Sequence, residues 1–195
     1  MAGGRDRIMT EAAAVFQPLP GRTCGACTVC CVNVEIDDPE LKKPDEVVCP
    51  NLLPAGGCGI YAARPRTCAT WFCGWRLLNL SDAMRPDLSN VLLMPEICRE
   101  PGYEKGGLRL VAIDGDTEKL LRREVIDLAG RCVANGVPIF LSCGSGAACK
   151  RGLLNPLAEV AVRAGARENF VAIVANLLGQ LAAAAAAEKV APTQP

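Results

Sequence analysis

Cys24-Gly-Ala-Cys27-Thr-Val-Cys30-Cys31 places four thiols within eight positions, and Cys49, Cys58, Cys68 and Cys73 follow before residue 75. Two-residue gaps let thiolates converge on one centre, because a tight turn points both sulfurs inward while its backbone N–H groups can donate to them. Pro39, Pro44, Pro50, Pro54 and Pro65 lie between these cysteines and interrupt any long helix or central strand. The stretch therefore predicts a loop-built module organised around its cysteines rather than around a periodic apolar core.

Beyond it, ordinary secondary-structure signals return. Val91 to Met94 and Leu108 to Ile113 are apolar, β-prone runs separated by Pro101-Gly102 and Gly106-Gly107, a pattern that predicts neighbouring antiparallel strands. Thr117 reads as the N-cap of a helix running to about Asn135, with Leu121, Val125, Leu128 and Cys132 on one face. Asn135-Gly136 ends it, and Val137 to Leu141 reads as a third strand. Asn155 before Pro156 marks another helix start, and Gly165 separates that segment from a long C-terminal helix. The fold class expected is α+β: a loop-rich, cysteine-cluster metal-binding module packed with a small, mainly antiparallel sheet and helices. Along the chain this gives an N-terminal tail over 1–20, the cysteine-rich module over 21–80, a small α+β region over 81–150 and C-terminal helices over 151–190.

Composition narrows the functional classes. The 195 residues are 50% hydrophobic and 22% charged, which argues against intrinsic disorder. Lys+Arg 21 cancels Asp+Glu 21, so neither a nucleic-acid partner nor an anionic membrane surface is expected on electrostatic grounds. With His 0, no Ser-His-Asp or Cys-His nucleophile pair, imidazole base or Cys2His2 zinc site can be built. Arg5, Asp6, Arg7 and Glu11 interrupt the first twenty residues, which lack the apolar block of a secretory signal. A cytoplasmic, reducing location follows as the expectation, with the cysteines as thiolates rather than disulfides. Asn169 to Ala187 carries no charge, but Asn176, Gly179, Gln180 and a run of alanines weaken it as a membrane anchor, so a packed C-terminal helix is expected.

Clustered thiolates in such a compartment point to a metal centre. Cys24, Cys27, Cys30, Cys31, Cys49, Cys58, Cys68 and Cys73 are the candidate ligands, enough for two four-sulfur sites or for one with spare or bridging ligands. Adjacent side chains diverge, so Cys30 and Cys31 serve different centres or one of them stands outside the ligand set. All-thiolate coordination suits an iron–sulfur cluster and structural Zn2+ alike. Iron is favoured by the C-x2-C-x2-C run at Cys24, Cys27 and Cys30 and by Pro50 after Cys49, although the fourth spacing differs from the ferredoxin pattern.

Trp71, Phe72 and Trp75 could shield such a centre, and Arg64, Arg66 and Arg76 could balance its negative charge. Cys98 and Cys132 read as small packing residues. Cys143 and Cys149 flank Gly144-Ser145-Gly146-Ala147-Ala148, a candidate thiol pair or anion loop. Lys150 lacks the preceding glycine of a phosphate-binding loop, and no Rossmann fingerprint is present. Asp37, Asp38, Asp114 and Asp116 read as turn residues.

These cysteines resemble the YkgJ-type cysteine-cluster family, whose shared region is described as a zinc- or iron-chelating domain. The resemblance rests on Cys-Gly-Ala-Cys-Thr-Val-Cys-Cys at 24 to 31, Lys43-Pro44 leading to Cys49-Pro50, Gly57-Cys58-Gly59-Ile60-Tyr61 with Arg64-Pro65 and Cys68, and Phe72-Cys73-Gly74-Trp75. It continues more loosely through Arg85-Pro86-Asp87 to about Gly144, roughly two thirds of the chain. Asn51 and Leu52 depart from it, since related members often carry a His and a further Cys there. The resemblance implies metal binding but no settled reaction. The functional expectation is a metal-binding protein with a redox, electron-transfer or structural role, rather than an enzyme. The alternatives are a cluster-dependent enzyme or maturation factor with an open metal position, as the family's relatives among flagellin lysine methylases suggest, and a metal-free C-x-x-C thiol redox protein.

Overall fold

A four-stranded sheet with a different partner on each face organises the chain. The computed structural model describes residues 17–145 and 149–190, the last three of these by backbone alone. Most of the expected 1–20 tail, and residues 146–148 of the loop between Cys143 and Cys149, lie outside the described residues.

The strands are β1 (Ile36–Asp38), β2 (Leu41–Lys43), β3 (Val91–Ile97), β4 (Gly106–Ala112), β5 (Ile139–Ser142) and β6 (Arg151–Leu153). The first two form a small antiparallel hairpin inside the cysteine module; the others form one sheet in the order β3-β4-β5-β6. Val91 stands opposite Ala112 and Ile97 opposite Gly106, the antiparallel pairing expected of the two apolar runs. The β5–β6 pair is also antiparallel, while β4 and β5 run parallel and are joined by a crossover through residues 113–138. The molecule is α+β, with helices α1 (Val29–Asn33), α2 (Arg66–Thr70), α3 (Gly74–Leu77), α4 (Pro86–Ser89), α5 (Arg123–Ala134), α6 (Asn155–Arg163) and α7 (Arg167–Val190).

Val91, Leu92 and Leu93 are all fully buried, which explains why β3 reads as a continuous apolar run without alternation. Val91 and Leu93 face a core shared with Val125, Ile126 and Ala129 of α5, Ala158 of α6 and Phe170 and Val174 of α7. Leu92, Met94 and Val111 point the other way and meet Val29, with Cys27, Trp71 and Cys73 packed alongside. Helices therefore cover one face of the sheet and the cysteine module covers part of the other.

Two local expectations need correction and one is extended. Thr117 does not cap the long helix: Asp116 accepts from the Glu118 N–H and opens a short 3-10 segment, and α5 starts only at Arg123. Asp37 lies within β1 rather than in a turn, whereas Asp38 ends the strand and opens the turn as expected, its Oδ1 accepting from the Glu40 N–H at 3.0 Å. Asn155 does more than begin α6. Its Oδ1 accepts from the Ile139 N–H at 2.8 Å and its Nδ2 donates to the Val137 carbonyl at 3.0 Å, so a buried amide pins the start of β5. By length and composition, one helix among the described residues, Arg167–Ala187, is long and apolar enough to cross a membrane. Its Phe170, Val174, Leu177, Leu178 and Leu181 form a buried stripe against the helix-side core.

Candidate metal centre

All eight cysteines from Cys24 to Cys73 line one cavity of about 140 Å3, set where the module meets the sheet at Leu92. Short backbone ties bring them there. Gly25, at φ +54°, allows the tight turn in which the Cys27 N–H donates to the Cys24 carbonyl at 2.9 Å. One helical turn, α1, then carries Cys30 and Cys31. The Cys49 N–H donates to the Cys31 carbonyl at 2.8 Å, the Leu52 N–H to the Cys49 carbonyl at 3.0 Å, and Leu52 bridges to Cys58. Helix α2 carries Cys68, and Cys73 caps α3. Glycine at position 74 lets α3 sit on the sheet, since a Cβ there would lie 2.6 Å from Leu93 Cβ.

All twelve cysteines are free thiols. Among the described residues no three His, Cys, Asp or Glu side chains close into a finished ligand set; the thiols line the cavity wall. Burial pushes the Cys27 thiol up to about 11 and raises Cys68 and Cys73 as well. Adjacent Cys30 and Cys31 share a hydrogen bond that raises the first and lowers the second, with burial adding to the rise at Cys30 and the Lys43 and Arg64 charges aiding the fall at Cys31.

The expected aromatic and basic neighbours are mostly in place. Trp71, Phe72 and Trp75 line the cavity, as do Arg64 and Arg76, while Arg66 is exposed and does not. Arg76 Nη1 donates to Cys24 Sγ at 3.4 Å and its guanidinium lies over the Phe72 ring. Arg64 stacks on Tyr61, 3.9 Å from the ring centroid. Arg85 and Pro86 also reach the cavity wall, and Arg85 grips Asp87 through two hydrogen bonds of 2.6 and 2.8 Å.

Cys98 and Cys132 stand apart, the former fully buried beyond β3 and the latter packed on the helix-side core. Cys143 and Cys149 are half-buried in the connection between β5 and β6 and do not line the cavity.

Two supporting residues have roles that only the fold reveals. Lys43 is 2% exposed, and its Nζ donates to the carbonyls of Val32, Pro44 and Val47. Asp38, 5% exposed, accepts from the Glu40 and Thr67 N–H groups, both at 3.0 Å, and so ties the hairpin to the start of α2 beside Cys68. Lys43-Pro44 belongs to the stretch that carries the family resemblance, but nothing in the chain tells that Lys43 is buried; Asp38 has no signal at all, because Thr67 is distant in sequence.

Those two N–H bonds hold the Asp38 carboxyl below the usual carboxylate range. A depressed folded-state value stabilises the fold above the ordinary pKa of about 3.9 and is lost as pH falls through the lower folded value. Asp38→Asn puts an amide NH2 where one backbone N–H needs an acceptor. The variant is expected to unfold at lower urea than the parent at pH 7, with the difference shrinking towards pH 3. An equal difference at both pH values would show that the carboxylate charge is not involved.

Comparison with sequence models of protein families, with curated proteins and with solved structures gives no match to this chain.

Proposed function

We propose that this chain is a cysteine-ligated metal-binding protein of the YkgJ type, holding iron as an iron–sulfur cluster, or else zinc, through Cys24, Cys27, Cys30, Cys31, Cys49, Cys58, Cys68 and Cys73. The observation that carries the reading is convergence: eight thiols spread over fifty residues line one cavity, and four cysteines elsewhere do not. Packing alone gives no reason for such sorting. The donor set fits the group, since thiolates suit both zinc and iron–sulfur clusters, and Arg76, Arg64 and Lys43 supply positive charge and N–H groups where the sulfurs gather. Trp71, Phe72 and Trp75 keep water from part of the cavity wall.

A bound cluster would supply one-electron chemistry, whereas zinc would supply folding energy. The chain's own residues position the sulfurs, neutralise part of their charge and limit solvent access. No enzymatic reaction is assigned, and a reducing, cytoplasmic setting suits thiols of this kind. Anaerobic purification of the untagged protein, followed by an absorption spectrum and analysis for iron, sulfide and zinc, tests the reading. A brown protein with a broad band near roughly 400 nm and matched iron and sulfide is the expected result. A colourless protein with stoichiometric zinc keeps the metal-binding reading and makes the module structural. Absence of both metals, with every thiol titratable, would overturn it in favour of thiol redox chemistry.

A further inference from the structure

The cysteines reach the cavity on segments with different anchorage, and Cys24 is carried by one that is fastened outside the module. Resting on the metal-binding reading, we infer that Arg22 is a positioning residue. It clamps residues 19–24 onto the half of the molecule that has its own core, so that Cys24 is placed at the cavity before a metal arrives. Cys24 then serves as the landing point round which the looser thiols close.

Leu19-Pro20-Gly21-Arg22 forms a β-turn, closed by the Arg22 N–H on the Leu19 carbonyl at 3.3 Å. Proline and glycine take its two central positions, and Gly21 has φ +78°, where a side chain would be strained. The turn sends the Arg22 side chain onto α3. Its Nη1 donates to the Trp75 carbonyl at 2.6 Å, its Nη2 donates to the Leu80 carbonyl, and the guanidinium lies over the Trp75 ring, 4.6 Å from the centroid. Trp75 is itself buried in the helix-side core, so Arg22 grips a part of the fold that does not depend on the module.

Arg76, the next residue of α3, completes the fastening. Its carbonyl accepts from the Leu19 N–H at 2.8 Å, its own N–H donates to the Cys73 carbonyl at 2.9 Å, and its Nη1 donates to Cys24 Sγ at 3.4 Å. The strap is thin: Pro20, Gly21 and Thr23 are exposed, while Cys24 lines the cavity. Cys49, Cys58 and Cys68 are held differently. Their segments bond to one another, the Cys49 N–H to the Cys31 carbonyl, Leu52 to Cys58 and the Thr67 N–H to Asp38, so they keep their places only while the module is folded.

Alkylation of the full, reduced, metal-free chain with N-ethylmaleimide, followed by mass mapping of each cysteine, tests the placement without any metal. In Arg22→Gln the Cys24 thiol is expected to react about tenfold faster than in the parent, while Cys58 and Cys68 keep the parental rate. Gly21→Ala, which strains the turn without touching Trp75, should move Cys24 in the same direction. Arg66→Gln, on an exposed side chain of α2, should leave Cys24 at the parental rate. Zinc capture, followed with a chelating dye, should be slower in both strap variants and end at the parental amount of zinc per chain. Cys24 reacting at the parental rate in both variants, or all eight cavity thiols accelerating together, would overturn the inference, because Arg22 would then do nothing for Cys24 or merely support the whole fold. Equal capture rates alongside faster labelling would overturn the landing role. A chain whose Cys24 responds as expected but which takes up neither zinc nor iron would remove the metal-binding reading and leave the hold of Arg22 on Cys24 standing.

Discussion

Replacing Lys43 with methionine is expected to lower stability by about 3 kcal/mol and to reduce the metal retained per chain. The side chain enters the module almost fully buried and spends its three ammonium protons on the carbonyls of Val32, Pro44 and Val47, at 3.1, 2.8 and 2.8 Å. Burial pulls the Lys43 pKa down, while the nearby charges of Cys49, Asp45, Cys31 and Cys30 act in the opposite sense. Methionine keeps much of the volume but leaves all three acceptors without a donor, and it removes a positive charge from beside the sulfurs. The loop it secures is already strained, because Glu46 adopts φ +56° without being glycine, and that loop delivers Cys49 to the cavity. Arginine should not rescue the variant, since a planar fork cannot reach three carbonyls that converge on one tetrahedral nitrogen. Lys42→Met provides the contrast: that side chain is 78% exposed and its ion pair with Asp37 contributes at most about 1 kcal/mol. Urea midpoints of the three proteins, with metal analysis alongside, decide the matter. A Lys43→Met protein as stable as Lys42→Met would mean that water replaces the ammonium at little cost.

What could be read from the chain and what could not divides along the range of the interactions. Val91 to Met94 declared a strand because its residues are β-prone and apolar, and its pairing with the run at Leu108 needed only the turn residues between them. Nothing nearby explained why Leu92 should be as apolar as Leu93. The reason is the module laid across the second face of β3, which is a long-range fact. The eight cavity cysteines were legible as a group from spacing, since thiols in turns and loops carry their own signal. Their neighbour relations were not, because Cys73 reaches Cys24 through Arg76 and Cys31 reaches Cys49 through one backbone hydrogen bond. Asp38 and Lys43 were hidden for the same reason. Asp38 acts on Thr67 and Lys43 on a loop that only the fold brings round it. Asp116 displaced Thr117 as a cap because a 3-10 turn intervenes before α5, a boundary that apolar periodicity does not resolve.

If the module holds a metal as proposed, stripping it should unfold the segment from about Cys24 to Cys68 while leaving the sheet, α5 and the turn at Cys73 folded. Over residues 24–70 the well-buried apolar side chains are Val29, Ile36, Cys49 and Pro65, joined by Asp38 and Lys43, so this segment has little core of its own. Structural coordination by thiolates supplies about 10 kcal/mol or more, which is the scale needed to order such a Gly- and Pro-rich loop. The boundary should fall short of residue 75. Gly74 lies against Leu93, and Trp75 is buried in the helix-side core with Arg22 over its ring and its Nε1–H donating to the Ser81 carbonyl. Those contacts survive without any ligand. Hydrogen exchange before and after anaerobic chelation should therefore show amide protection falling across 24–70 and persisting in β3, β4, β5 and α5. Loss of the module also bares Leu92, Met94 and Val111, so dye binding to exposed apolar surface should rise in the same step. Unchanged protection in the stripped protein would mean that the hydrogen bonds of Lys43 and Asp38 suffice to hold the loops. In that case the metal serves chemistry alone, for the cavity would be preformed and its ligands already in place before the ion arrives.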